Sequence, residues 1–179
     1  MKFECNKNIL EMLKPEGNDT FDIEPFELYK RRVGSLLPNM PECVLENWIH
    51  RHYSSVIMDY SFLNFEKMQF TKEEWSKEDI SNNIKSYDES MINNLGYQIY
   101  NRVDKSWLQE YMLKHMTWNV PIIILENKEN QYVSHENMLL GHPFHLLEGH
   151  LRLNYFRKIY SMEKENLKEM HEIWKATIN

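Results

Sequence analysis

The run that most constrains this chain is "WNVPIIILEN", from Trp118 to Asn127. Proline at 121 pushes the residue before it towards extended backbone, and three successive β-branched isoleucines favour a strand over a helix. From Ile122 to Leu125 there is no polar side chain, so neither face of that strand is suited to water. A strand of this kind belongs inside a sheet covered on both sides, and the rest of the chain must supply the cover.

Most of it reads as helix. Glycine and proline are scarce, 5 and 6 in 179 residues, which argues against a loop-rich sandwich. In "MPECVLENWIHRHYSSVIMDY", Pro41 suits a first helical turn and Glu42 complements the helix dipole. Val44, Leu45, Trp48, Ile49, Val56 and Ile57 then recur at 3–4 spacing, with His52 on the same stripe. Upstream, "NKNILEMLK" predicts a short helix and "IEPFELYKRRVGSL" another; its basic cluster "YKRRVG" reads as a solvated face. Thr71 with Glu74 and Ser86 with Glu89 form capping-box patterns. Asp104 is placed to cap a helix carrying Trp107, Leu108, Tyr111 and Met112 on one face. Up to about residue 115 the chain is therefore expected to be nearly all helical.

After the isoleucine run, "NKENQ" turns the chain and "PFHLLE" is a second short strand. A helix follows from Gly149 to about Tyr160, with Leu151, Leu153, Phe156 and Ile159 apolar. The tail "SMEKENLKEMHEIWKAT" predicts a final amphipathic helix with Leu167, Met170, Ile173 and Trp174 inward. The expected fold class is α+β in a single domain over 1–179, a helical part over 1–117 and a small β-containing part over 118–179 that ends in a C-terminal helix.

Charge narrows the partners. The net charge is −6, whereas a protein that neutralises many phosphates carries a basic surface. DNA binding is disfavoured, and docking onto a basic protein is favoured. No run of about 18 apolar residues is present, so no membrane partner is expected. The stretch "MKFECNKNILEMLK" lacks a secretory apolar core, so a cytoplasmic location is expected. Cys5 and Cys43 form no CxxC pair and cannot build a zinc site alone.

The chemistry gathers at "PFHLLEGHLRL", where the strand meets the helix. A helix N-terminus offers unpaired N–H groups and a partial positive charge. Gly149 would let an anion approach the backbone, His150 can donate from its ring, and Arg152 can fork onto two oxygens. Glu148 would orient His150 or Arg152, or accept a hydroxyl proton, and is the candidate catalytic carboxylate. The same residues allow a plainer arrangement, an ion pair between Glu148 and Arg152, four apart, at the helix end.

"LLEGHLRLNYFRKI", with "VPIIILEN" upstream, resembles the ParB/sulfiredoxin-like superfamily over roughly 118–160. Its members share a strand–Gly–helix element, written roughly [D/E]-G-H-x-R or G-x-R-R, that binds nucleotide phosphates or DNA. The resemblance implies a phosphate site at Gly149, His150 and Arg152 and a nucleotide as candidate ligand, with a phosphotransferase or NTPase as the kind of reaction such a site supports. Sulfiredoxin-type members carry a cysteine directly before the His–Arg pair, where this chain has Gly149, so sulfinic acid reduction is not implied. ParB-type members carry a helix-turn-helix after the core, whereas the stretch after Tyr160 is acidic, so centromere-type DNA binding is not expected.

His135, His142, His145 and His150 fall close together, with Glu136 and Glu148 among them, but they lack HExxH spacing, and no metal site is assigned. No G-x-S-x-G or Walker-type loop is present, so no reaction is assigned. A second function class suits the same chain: a non-catalytic acidic immunity protein or antitoxin that neutralises a basic, nuclease-type toxin through a Tyr- and Trp-rich surface.

Overall fold

The computed structural model describes residues 7–17, 22–87, 89, 95–134 and 138–178. They divide into two compact units, one drawn from 1–70, 132–138 and 176–179, the other from 71–131 and 139–175. The fold class is α+β, as the sequence predicts.

The first unit is built on helices. These are α1 (Lys7–Met12), α2 (Phe26–Val33), α3 (Glu42–Val44), a π-helical turn over Leu45–His50, and α4 (Arg51–Tyr60). Pro25 and Pro41 stand immediately before α2 and α3, where a missing N–H costs nothing. Tyr29, Val33, Leu45, Trp48, Ile49 and Val56 are buried. The Trp48 ring lies 6.0 Å from that of Tyr60 and 5.6 Å from that of Phe65.

The π turn changes which histidine is inside. It widens the helix over Leu45–His50, and His52 then leaves helical geometry (φ −124, ψ 28), so the 3.6-residue phase does not carry through. His52, expected on the packed stripe, is exposed, and His50 is buried instead. The Nε2–H of His50 donates to the Glu24 carbonyl at 2.7 Å.

Most of the sheet lies in the second unit. In chain order the elements from residue 68 onward are β1 (Met68–Ser76), α5 (Lys77–Asn83), β2 (Ile84–Lys85), α6 (Gln98–Asn101), α7 (Trp107–His115), β3 (Ile122–Glu126), β4 (Phe144–Glu148), α8 (His150–Glu163) and β5 (Met170–Ile178). The sheet order is β1-β5-β3-β4-β2. β4 runs parallel to β2, pairing Phe144 with Ile84, and antiparallel to β3, pairing His145 with Leu125. From Ile122 to Leu125, β3 is buried throughout, as the isoleucine run requires. Ile122, Ile124, Leu146, Leu153, Phe156, Met112, Trp118 and Ile173 share one apolar cluster.

Three expectations are corrected. Residues 68–76 form a strand, so Thr71 caps nothing. Ser76 caps α5, its hydroxyl accepting the Asp79 N–H at 3.0 Å. The tail 170–178 is also a strand, with His171 and Ile173 buried and Met170 and Glu172 exposed, a period of two where the sequence reads as period 3.6. Opposite charges join these two neighbouring strands, Lys72 with Glu172 at 2.7 Å and Lys175 with Glu73 at 2.5 Å. Finally, α7 is capped by Ser106 in a box with Gln109, two residues after Asp104. No helix of the described residues is long and apolar enough to cross a membrane.

Candidate functional site

The four residues singled out by sequence meet at one corner of the second unit. β4 ends at Glu148, Gly149 turns the chain in the left-handed region (φ 104, ψ 28), and α8 begins at His150. The glycine has two physical reasons to be there. A side chain at that φ is strained, and a Cβ would stand 2.5 Å from Cγ2 of Ile122 on β3. Close packing of the corner against β3 therefore accounts for Gly149 whether or not a ligand approaches its backbone.

Arg152 and Glu148 bond to each other, Nη2 of the guanidinium donating to Oε2 of the carboxylate. Their side chains are only 12% and 14% exposed, so the pair is largely removed from water, and loss of either partner would strand a buried charge. His150 is different: it is exposed, in the first turn of α8. That turn has no acidic residue and the helix has no side-chain cap. The first-turn N–H groups of α8 and an exposed imidazole thus stand together, beside an arginine fixed by its neighbour.

Behind the corner lies a buried histidine. His145 accepts the Gly141 N–H at its Nδ1 (3.0 Å), and its ring meets that of Tyr87 edge-on at 4.6 Å. Burial, and then the nearby His150, push its pKa down to about 3. At neutral pH it is an uncharged acceptor that fixes the Gly141 turn. Asn127 fixes the same loop from the other side: its Nδ2 donates to the carbonyls of Leu140 and Gly141, and its Oδ1 accepts the Gln131 N–H at 2.9 Å. Nδ1 of His142 bonds to the Asn127 carbonyl at 2.9 Å. His135 and Glu136 lie outside the described residues. Among the described residues no three His, Cys, Asp or Glu side chains converge to hold a metal ion.

A second feature was misplaced by sequence. Trp107, expected on the packed face of its helix, is 62% exposed, whereas Met112 of the same helix is fully buried. Trp107, Tyr111 and His115 form a ladder up one flank of α7, with ring centroids 5.4 and 4.3 Å apart. Tyr97 and Val103, both exposed, belong to the segment that leads into this helix. The spacing of four between those rings was legible; the side of the helix they occupy was not.

No family model matches the chain, and no curated protein or solved structure matches it either.

Proposed function

We propose that the second unit is a ParB/sulfiredoxin-like domain that binds a nucleotide or another phosphate ligand, in the cytoplasm, at the strand–Gly–helix corner. Gly149 and His150 present the backbone N–H groups and the imidazole to the phosphate. Arg152 contributes its positive charge, and Glu148 holds that guanidinium in place. The observation that carries this reading is the start of α8, which has neither a side-chain cap nor an acidic residue in its first turn and has an exposed His150 there. A bound anion would complete such a terminus. Glu148 is engaged with Arg152, so its part is positioning, and no reaction is assigned to it.

The test is a thermal shift with ATP, CTP and inorganic pyrophosphate at matched ionic strength. A rise in Tm with at least one of them is expected, and His150→Ala, an exposed position, should abolish it. No shift with any of the three, or a shift that survives His150→Ala, would overturn the reading.

One observation favours a second reading, the acidic inhibitor of a basic toxin. The Trp107–Tyr111–His115 ladder is an aromatic strip, exposed at Trp107 and His115 and half-buried at Tyr111, on a chain of net charge −6, and buried aromatic anchors carry much of the energy of protein interfaces. Under that reading nucleotides leave Tm unchanged. Co-expression then protects cells from a basic nuclease encoded beside this chain, and Trp107→Ala removes the protection.

A further inference from the structure

The first unit contains a cleft of about 330 Å³ whose walls include Lys14, Ile23, Arg51, His52, Ser54 and Ser55. We propose that this cleft is a second, independent binding site, for a small phosphorylated organic molecule.

The broken helix opens it. Consecutive residues of an α-helix point 100° apart, so six in a row cannot face one cavity. Here all six from His50 to Ser55 line the same cleft. They do so because the chain passes from the π turn into α4 and leaves helical geometry at His52. Such turns concentrate at functional sites.

The opposite wall is held in place before any ligand arrives. Arg32 donates through Nη1 to the Met12 carbonyl and through Nη2 to the Lys14 carbonyl, both at 2.8 Å. The Tyr29 hydroxyl donates to the Leu13 carbonyl at 2.7 Å, and the Tyr53 hydroxyl to that of Leu10 at 2.8 Å. α1 is thereby tied to α2 and α4, and the segment after it to α2, by side chains, so the cavity is preformed, as small-molecule sites generally are.

Its charge then decides the ligand class. One carboxylate, Glu16, lines the cleft; it is exposed, with Oε1 3.9 Å from Nε of Arg32. Arg32 also pairs with Glu24 at 2.6 Å and holds that carboxyl below its ordinary pKa. Among the described residues no carboxylate pairs with Lys14 or Arg51, and both are exposed. Two cations and the hydroxyls of Ser54 and Ser55 match the oxygens of a phosphate, and Ile23 offers an apolar edge to an organic remainder. The volume is that of a small-molecule site.

The experiment is a titration with phenyl phosphate and with inorganic phosphate, against sodium chloride at equal ionic strength, followed by the backbone amide resonances of Ser54 and Ser55 in the full chain. Saturable shifts are expected, tighter for phenyl phosphate than for inorganic phosphate. Arg51→Gln and Lys14→Gln, both at exposed positions, should each weaken binding at least tenfold, and His150→Ala should leave it unchanged. Shifts that chloride reproduces, or that survive Arg51→Gln, would overturn the proposal. Shifts that appear at His150 and not at Ser54 and Ser55 would overturn it as well, while supporting the corner site. Binding at Ser54 and Ser55 with none at His150 would do the reverse.

Discussion

Each unit sets an arginine and a histidine close together, at a helix start in one and at a helix break in the other, yet the two arrangements treat their arginine in opposite ways. In the second unit Arg152 follows Glu148 by four residues, bonds to it and is almost covered. In the first, Arg51 stands exposed in a cleft and no carboxylate of the described residues pairs with it. The same side chain is thus held by the fold in one place and left for solvent in the other. What differs is the counter-charge: bonded within the chain's own i, i+4 reach at the corner, and at the cleft an exposed Glu16 that pairs with Arg32 at 3.9 Å. A cation beside a helix end is informative about ligands only once its nearest carboxylate has been accounted for.

Four measurements would sharpen or break this contrast. The largest effect is expected for Arg152→Ala, which leaves Glu148 buried without its partner. Urea unfolding should show a loss of about 3 to 5 kcal/mol, against about 0.5 kcal/mol or less for Arg51→Ala at its exposed position. Comparable losses at the two sites would erase the distinction. Next, Gly149→Ala places a Cβ 2.5 Å from Ile122 at a φ of 104 and should cost about 2 kcal/mol. Combining it with Ile122→Val should restore part of that loss if packing is the reason for the glycine.

The third concerns pH. His145 and His171 are both buried, and burial lowers their pKa values to about 3 and about 4. The unfolded chain binds protons at these positions near the ordinary histidine value, so between that value and the folded one it holds more protons than the native state. Their contribution to stability is therefore full above about pH 6.5 and declines as pH falls towards 4 and then 3. His145→Gln should flatten that slope in acid unfolding curves, whatever it does to stability at pH 7; an unchanged slope would mean the buried imidazole does not govern it. The smallest effect belongs to Trp107→Ala. At 62% exposure it should cost about 0.5 kcal/mol or less, while Trp118→Ala in the apolar cluster should cost about 3 kcal/mol or more.

The sequence made the centre of the second unit legible and its edges illegible. β3 carries a continuous apolar run and β4 one interrupted only by His145, each preceded by proline, and α8 follows a glycine, so periodicity and punctuation agree there. Their Glu–Arg spacing also announced the ion pair as one of two arrangements. β1 and β5 failed because they sit side by side at one end of the sheet, where Lys72, Glu73, Glu172 and Lys175 pair across strands. Charged residues at such positions look like a solvated helix face. In β5 the apolar Met170, Ile173 and Trp174 happen to fit helical spacing, although it is His171, Ile173 and Ala176 that are buried. The π turn left no mark in composition, and with it went the phase that separates His50 from His52. The cleft was invisible for the same reason, since it exists only because that phase is broken.

The central claim is that the corner at Gly149 binds phosphate, and the ring resonances of His150 report on it most directly. On titration with ATP, the account predicts a saturable shift of the His150 imidazole together with the Leu151 and Arg152 amides, and none of these in Gly149→Ala protein that remains folded. An imidazole that stays unmoved at saturating ATP, CTP and pyrophosphate would contradict it and leave the Glu148–Arg152 pair as a structural clasp alone.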